Sequence, residues 1–355
     1  MILILNCGSQ SIKWKLFSNK LNLIKENKIS VKDPKKYRIF LSSELKRIKE
    51  VGDNLLFVGH RVVHGGEKLR EPVKINKRIL SELEKCKVLA PLHNPFNVLG
   101  IKTAQKIFSK IDQFAVFDTE FFKDLPDKAK IYALPERLRK KYKIFRYGFH
   151  GTSHEYVVRK AAKIVKKPFS KLKMISCHLG GGASVCAIEK GKAVDASMGF
   201  TPLEGLVMMT RSGNLDPGII LFLSQKTQRR KKAGQLPIES QKLNEILNQE
   251  SGIKGICGMA DMKEVLKAAK QGSKKAKLAL DVFVYSIQKY IGAYFAVLGE
   301  VDILIFTGAI GYGSAKIRKM ICRNLKILTK TKILAIETNE ELLIAEKIRN
   351  VVARK

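Results

Sequence analysis

The 355-residue sequence contains no apolar run of the roughly 20 residues that a membrane-spanning helix needs. No charged segment precedes the first short apolar run, so we expect a first strand there and not a signal peptide. The six cysteines include no CxxC pair, and the six histidines form no cluster with them, which argues against a structural metal site. These absences predict a cytoplasmic protein with reduced, mostly buried thiols and no membrane partner.

Acidic residues are scarce. The chain has 32 Asp and Glu against 67 Lys and Arg, a formal net charge of +35. Such a charge favours anionic ligands in general, including nucleic acid. However, the lysines are spread along the chain, and the densest basic run, residues 226–232, has no interleaved aromatic residues. We therefore expect a solvated lysine-rich surface and no specific nucleic-acid partner.

A glycine-rich hairpin pattern occurs twice, at residues 2–17 and 174–188. In each copy an apolar run leads into a turn of small residues and then into a second apolar run, which predicts two buried strands joined by a tight turn. Successive backbone N–H groups in such a turn can hold an anion. With a length suited to two domains, the repetition predicts a duplicated βββαβα core with a phosphate-containing ligand between the halves.

The rest of the pattern fits two α/β domains. We predict extended segments at 27–31, 55–63, 113–117, 302–306 and 333–336, and helices at 34–51, 77–89, 96–110, 281–298 and 341–352. Residues 121–148 read as a charged connection. A further helix is expected after Thr152-Ser153-His154, where Thr or Ser would cap it.

Polar residues follow several of these predicted strands, at the edge where α/β proteins bind ligands. They are Asn6, Arg61, His93, Asp118, His150, His178, Arg211 and Glu340. Arginines and histidines with few acids suit a multiply charged anion, since a guanidinium binds phosphate or carboxylate through two hydrogen bonds. Asn6 and Glu340 offer oxygen atoms suited to Mg²⁺.

The motifs that contain these residues resemble the acetate kinase family, the acyl-phosphate-forming branch of the sugar kinase, actin and heat-shock chaperone superfamily. The matching segments, in order, are NCGSQSIK at 6–13, GHRVVHGG at 59–66, APLHNP at 90–95, VFDT at 116–119, RYGFHGTSH at 146–154, MGFTPLEG at 198–205, TRSG at 210–213 and TNEE at 338–341. The resemblance covers nearly the whole chain.

The resemblance implies a role for each matching residue. Arg61, Arg211, Asp118 and His150 would be catalytic, with the arginines on the carboxylate and the transferred phosphoryl group, and Asn6 and Glu340 would position the metal ion. The implied nucleotide or phosphate contacts are Asn6, Lys13, His178, Gly180, Gly182, Asp261, Met262, Lys263, Ala309, Ile310, Gly311 and Gly313, with Ser9 and Ser11 nearby. Val63, Leu92, Phe149 and Pro202 would enclose the methyl group of a short acid.

For the whole molecule, the resemblance implies an α/β, duplicated two-domain actin-like ATPase fold with an RNase H-like core in each domain and the active site in the interdomain cleft. Residues 1–122 plus 342–355 would form the acyl-substrate domain and 123–341 the nucleotide-binding domain. The implied reaction is reversible transfer of the γ-phosphoryl group of ATP to acetate with Mg²⁺ or Mn²⁺, in a cytoplasmic homodimer that serves acetyl-CoA biosynthesis.

The sequence departs from the family pattern mainly on the nucleotide side. Gly181, Met209, Asn214, Ala309, Tyr312 and Gly313 replace the family's Asn, Gly, Asp, Gly, Glu and Asn, and residues 259–263 read MADMK. These changes leave two alternatives open beside ATP-dependent activity. One is the same fold with another phosphoryl donor such as pyrophosphate, and the other is a weakly active member that acts as a basic binding protein.

Overall fold

The computed structural model describes residues 1–9, 11–31, 33–51, 54–229 and 240–353. Its first half contains one six-stranded sheet with helices packed on it. The elements are β1 (Ile2–Cys7), β2 (Ser11–Phe17), β3 (Leu23–Ser30), α1 (Tyr37–Val51), β4 (Phe57–Val62), β5 (Val73–Lys74), α2 (Lys77–Lys85), α3 (Asn94–Ile107) and β6 (Asp112–Phe117). The strand order is β3-β2-β1-β4-β6-β5.

The second half repeats this plan with a five-stranded sheet. Its elements are α4 (Asp127–Lys130), α5 (Glu136–Tyr142), α6 (Gly151–Val165), β7 (Met174–Leu179), β8 (Ala183–Glu189), β9 (Lys192–Ala196), α7 (Pro217–Arg229), α8 (Ser240–Glu245), α9 (Gly252–Cys257), α10 (Met262–Lys270), α11 (Lys274–Leu298), β10 (Ile303–Thr307), α12 (Gly308–Gly311), α13 (Ala315–Cys322) and β11 (Lys332–Ala335). The strand order is β11-β10-β7-β8-β9. The last helix, α14 (Glu340–Ala353), follows β11.

The two sheets share the topology of five strands, and the first sheet adds β5, which pairs antiparallel with β6. In each, the first strand pairs antiparallel with the second and the second with the third, while the first strand also pairs parallel with the fourth. The fourth strand of each set then pairs parallel with one more strand, β4 with β6 in the first sheet and β10 with β11 in the second. The predicted duplicated α/β core is therefore confirmed.

Strand burial explains why the sequence pattern predicts these elements. Five of the six residues of β1 and four of the five of β10 are apolar and buried, as expected for central strands covered on both faces. In contrast, β3 is an exposed edge strand, and it begins four residues before the predicted segment at 27–31. Because its side chains alternate little in polarity, its start gives no clear sequence signal.

The last helix returns to the first sheet. Ile344, Ala345 and Ile348 of α14 pack with Ile2 and Ile4 of β1 in one hydrophobic cluster. This packing is the arrangement that the predicted division at residues 122 and 342 requires, and the boundaries themselves stay a prediction.

Two predicted helix starts were wrong. Helix α6 begins at Gly151, before the predicted Thr152-Ser153-His154 cap, and its N-cap is His150 in a left-handed conformation (φ +59°) with no side-chain cap bond. The Thr152 and Ser153 hydroxyls bond to site residues instead. Helix α11 begins at Lys274, seven residues before the predicted Asp281, where the Ser273 hydroxyl accepts a bond from the Ala276 amide.

Other expectations can be placed directly. All six cysteines are free thiols, and four are buried. The connection at 121–148 contains the two short helices α4 and α5. In the basic run at 226–232, Arg229 ends α7, and Arg230, Lys231 and Lys232 lie outside the described residues. No helix in the described part of the chain has the length and apolar character to cross a membrane.

Candidate active site

Arg61, the first of two arginines in the site, is bonded to two carboxylates. Arg61 follows the middle of β4 and Asp118 follows the end of the adjacent β6, so both side chains emerge at the same sheet edge. The guanidinium donates two bonds to Asp118, Nε to Oδ1 at 2.9 Å and Nη2 to Oδ2 at 2.7 Å. Its Nη1 lies 3.1 Å from Glu340 Oε2. Burial lowers the pKa of Arg61, but attraction to Asp118 and Glu340 outweighs this effect and raises it.

Asp118 is itself fixed by the second half. Thr152 at the start of α6 donates its hydroxyl to Asp118 Oδ1 at 2.8 Å, and the Gly151 amide donates to the Asp118 carbonyl at 2.9 Å. Asp118 is buried. This carboxylate therefore joins the two halves while it orients Arg61.

The second arginine has no such partner. Arg211 lies in the loop between β9 and α7 and donates to the Pro202 carbonyl at 3.3 Å and to His93 Nε2 at 3.0 Å. Among the described residues, no carboxylate lies within ion-pair distance of it, and burial lowers its pKa to about 10. An enclosed guanidinium without a carboxylate is costly unless an anion neutralises it.

Two histidines stand beside the arginines. The rings of His150 and His178 stack with centroids 4.3 Å apart. Burial lowers the pKa of His178 to about 4 and that of His150 well below its ordinary value, and the charge of Arg61 adds to both shifts. Both rings are therefore neutral hydrogen-bonding groups at neutral pH. The left-handed backbone of His150, uncommon outside glycine, is a strained conformation of the kind found at functional sites.

The second glycine-rich loop faces this group. A Cβ placed on Gly182 would lie 3.3 Å from His150 Nε2 and 3.5 Å from Arg211 Nη1. A Cβ on Gly180 would lie 4.0 Å from the Ala309 amide, so α12 adjoins the same loop. The loop therefore brings backbone groups close to the uncompensated arginine.

The two strands that flank the first glycine-rich turn contribute polar side chains near Arg61 and Glu341. Asn6, next to the last residue of β1, donates to Glu341 Oε1 at 3.2 Å, and Lys13 of β2 lies 3.0 Å from Glu341 Oε2. Asn6 Oδ1 is also 3.4 Å from Arg61 Nη1. Ser9 precedes and Ser11 follows Gln10, which lies outside the described residues.

A small cavity opens next to Arg211. It has a volume of about 190 Å³, and its lining includes Leu92, His93, Pro202 and Arg211. Two of the four predicted wall residues, Leu92 and Pro202, thus line it. Val63 and Phe149 are buried in the adjoining hydrophobic cluster, so their contribution to this wall is indirect.

The remaining predicted nucleotide residues are spread over two elements. Ala309, Ile310 and Gly311 lie in α12, and Gly313 follows two residues after its end. Asp261 caps α10 by accepting bonds from the Lys263 and Glu264 amides, and Lys263 is exposed. The Met262 side chain is buried in the core, so only its backbone is available to a ligand.

Two of the unusual residues on this side have structural roles. Met209 is buried and packs in the hydrophobic core of the second half. Asn214 accepts a bond from the Gly205 amide and donates to the Tyr290 hydroxyl, each at 2.8 Å. Tyr312 is 45% exposed.

The sequence reading missed five polar residues that support the site: Thr152, Ser153, Ser176, Ser184 and Glu341. Ser176 and Ser184 are polar residues inside mostly apolar strands, which is a usable signal for a buried hydrogen-bonding role. Glu341 adjoins the predicted Glu340, and only the fold shows that it bonds Asn6 and Lys13.

Comparison with known proteins agrees with this geometry. The fold and the site define an enzyme of the actin-like ATPase class, with a charged cleft between duplicated α/β halves. The sequence model of the Acetokinase family matches residues 24–331, and the chain belongs to this family.

Relatives match along their whole length. The chain is 40% identical to an acetate kinase of Carboxydothermus hydrogenoformans, with all of both chains covered, and 41% identical to one of Campylobacter jejuni, with 99% of each covered. Among solved structures, a propionate kinase from Francisella tularensis has a TM-score of 0.87 at 36% identity over 98% of each chain. The acetate kinase of Porphyromonas gingivalis has a TM-score of 0.86 at 33% identity over 99% of each chain.

Proposed function

We propose that this protein transfers the γ-phosphoryl group of ATP to acetate, or to a similarly short carboxylate, and catalyses the reverse reaction. A carboxylate oxygen attacks the γ-phosphorus and the bond to the β–γ bridging oxygen breaks, which gives acetyl phosphate and ADP. The observation that supports this most strongly is Arg211, a half-buried guanidinium without a carboxylate partner among the described residues, beside a cavity of about 190 Å³. That volume suits a small acid, since pockets for drug-sized ligands are larger.

Catalysis in this proposal depends on charge and position. Arg211 and the Nε2 of His150 would contact the oxygens of the phosphoryl group during transfer, with Gly182 leaving room for them. Arg61, held in one orientation by Asp118, would contact the group from the first half. Arginines that stabilise charge on a transferring phosphoryl group typically supply large rate factors.

We further propose Asn6 and Glu340 as the residues that position Mg²⁺ or Mn²⁺. Asn6 Oδ1 lies 3.4 Å and Glu340 Oε2 lies 3.1 Å from the same atom, Arg61 Nη1. The two oxygens therefore lie near one another and already face a positively charged group. In the described residues, no three acidic, His or Cys side chains cluster as a metal site. Magnesium is commonly held by one or two carboxylates plus substrate phosphates, which this donor set fits. When bound, the ion would neutralise phosphate charge.

For ATP, the proposed contacts are Asn6, Lys13, His178, Gly180, Gly182, Asp261, Met262, Lys263, Ala309, Ile310, Gly311 and Gly313. Gly308 adopts φ +78°, and a Cβ there would lie 2.6 Å from the Leu179 carbonyl, so the two loops pack backbone to backbone. This close packing supports a shared phosphate-binding surface.

We also propose a cytoplasmic homodimer that works in acetyl-CoA biosynthesis, with domains at 1–122 plus 342–355 and 123–341. Helix α7 supports self-association, because it leaves Leu221 63% exposed and Ile219 41% exposed. Its apolar surface is a candidate dimer contact.

The test is a hydroxamate assay with acetate and Mg²⁺, supplied in turn with ATP, GTP and pyrophosphate. We expect acetyl hydroxamate with ATP, and at least about 10²-fold less with Arg211→Ala. Arg137→Ala is the matched control, since Arg137 is exposed on α5. Product with pyrophosphate alone, or none with any donor, would overturn the proposal.

A further inference from the structure

Four side chains, three of them buried, form a continuous line of hydrogen bonds that ends at the half-buried His150. Ser176 Oγ of β7 lies 2.9 Å from His154 Nδ1, and His154 Nε2 lies 2.7 Å from Ser184 Oγ of β8. Ser184 Oγ lies 2.9 Å from His150 Nδ1. Ser176, His154 and Ser184 are at most 1% exposed. Solvent therefore has little access to the line, and its hydrogens must be shared within it.

Counting hydrogens gives the line a direction. Each serine has one O–H hydrogen, and each neutral imidazole carries one N–H. Among the described residues, His154 is the sole hydrogen-bond partner of Ser176 Oγ, so the Ser176 hydrogen is satisfied only when it points to His154 Nδ1. His154 must then carry its hydrogen on Nε2 and donate it to Ser184. Ser184 in turn donates to His150 Nδ1, which leaves the His150 hydrogen on Nε2.

The opposite direction leaves a buried group unsatisfied. If His150 and His154 carried their hydrogens on Nδ1, His150 would donate to Ser184, Ser184 to His154, and His154 to Ser176. The Ser176 hydrogen would then have no acceptor, at a cost of about 1–3 kcal/mol for a buried donor. His150 would also present a lone pair to the cleft, which repels phosphate oxygens.

We propose that Ser176, His154 and Ser184 are positioning residues that hold His150 with its hydrogen on Nε2, so that it donates to the transferring phosphoryl group. This inference rests on the proposed kinase function. Nε2 faces the cleft, because a Cβ on Gly182 would lie 3.3 Å from it and 3.5 Å from Arg211 Nη1. The arrangement supplies a fixed hydrogen-bond donor beside Arg211.

The charges around the line keep both rings neutral. Burial lowers the pKa of His150 and of His154 well below the ordinary value, and the neighbouring His178 adds to both shifts. Arg61 and Arg211 also face His150 and act in the same direction. With neutral rings, the position of the single hydrogen is what determines whether His150 donates or accepts.

The direct test is ¹⁵N NMR of the full-length enzyme with labelled histidine, recorded without substrate at neutral pH. Ring nitrogens with and without hydrogen have clearly different ¹⁵N shifts, and the chain has only six histidines. His150→Gln identifies the His150 signals. We expect His150 and His154 to carry hydrogen on Nε2; a His150 signal with hydrogen on Nδ1 would overturn the proposal. This readout does not need turnover, so it separates failure of the positioning line from failure of the kinase function.

A variant at the far end of the line gives the second test. Ser176→Ala should let His150 populate both tautomers and lower kcat about 10-fold, while KM for acetate and ATP changes less than about twofold. Ser176→Cys keeps a weak hydrogen-bond donor, so it should restore part of kcat and part of the preference of His150 for hydrogen on Nε2. Ser197→Ala is the matched control, because its buried hydroxyl bonds the Val185 amide outside the line, and it should leave the His150 tautomer unchanged. If Ser176→Ala lowers kcat with the His150 signals unaltered, the positioning role is wrong.

Discussion

The two arginines of the cleft lie in opposite electrostatic settings. Arg61 is bonded to Asp118 and Glu340, whereas Arg211 contacts a neutral histidine and a carbonyl. An anionic substrate binds well where a positive charge has no carboxylate partner. The transferred group and the carboxylate of the acid should therefore bind beside Arg211. The acids on the other side fix Arg61 and leave oxygens for a metal ion. In this cleft, Arg61 and its carboxylates therefore position groups, whereas Arg211 neutralises the charge of the substrate.

The largest expected effect is at Arg61. Arg61→Ala leaves Asp118 and Glu340 buried without their cation, so it should cost about 3–5 kcal/mol in the free energy of unfolding as well as most of the activity. Urea unfolding followed by circular dichroism measures the first effect. Arg61→Lys keeps the charge without the two-bond fork and should recover stability more than activity. An Arg61→Ala protein as stable as wild type would contradict the difference between the two arginines.

Arg211→Ala should show the reverse pattern. We expect kcat to fall at least about 10²-fold, while the free energy of unfolding stays equal or rises because a half-buried cation without a carboxylate partner is removed. Inorganic phosphate should raise the melting temperature of wild type and not that of the variant. A marked loss of stability in Arg211→Ala, with no phosphate effect in wild type, would show that Arg211 is structural.

Two neighbouring glycines allow a sharper comparison within one loop. Gly182→Ala puts a methyl group 3.2–3.3 Å from the His150 ring, and we expect kcat to fall about 10- to 100-fold from misplacement of reacting groups. Gly181→Ala is the control, because the space around a Cβ there is open to at least 4 Å. It should behave as wild type in the hydroxamate assay. Equal losses in both variants would mean that the loop needs glycine for flexibility and not for space.

The same open space explains one departure from the family pattern. Position 181, where the family has Asn, tolerates either residue sterically. Gly313 differs, because a Cβ there would lie 2.4 Å from the Ala309 carbonyl, so the family's Asn does not fit this backbone unless the turn shifts. A variant that restores Asn at 313 therefore tests the turn geometry as well as nucleotide binding.

Much of the fold was predictable because its signals are local. Buried strands are short apolar runs, and the duplicated glycine turns show that the runs repeat. Arg61, Asp118 and His178 were predicted as site residues for the same reason, because each lies near or just after the end of a strand. The serines at 176 and 184 and the hydroxyls of Thr152 and Ser153 were missed, since their partners lie on other elements and are brought together only by packing. The start of α6 was missed because His150, not a serine, occupies the capping position.

The smallest expected effect concerns the acid. The sequence predicted a pocket wall of Val63, Leu92, Phe149 and Pro202, but only Leu92 and Pro202 line the cavity beside Arg211, while Val63 packs in the adjoining cluster. Leu92→Ala should therefore shift the ratio of kcat/KM for propionate over acetate about 10-fold towards propionate, since one methylene is worth about 1–3 kcal/mol in an apolar pocket. Val63→Ala, which removes buried apolar atoms from the cluster, should lower the melting temperature and leave this ratio within about twofold. Both ratios come from the hydroxamate assay with each acid. A larger shift in Val63→Ala than in Leu92→Ala would return the wall to Val63 and place the acid deeper than the present cavity.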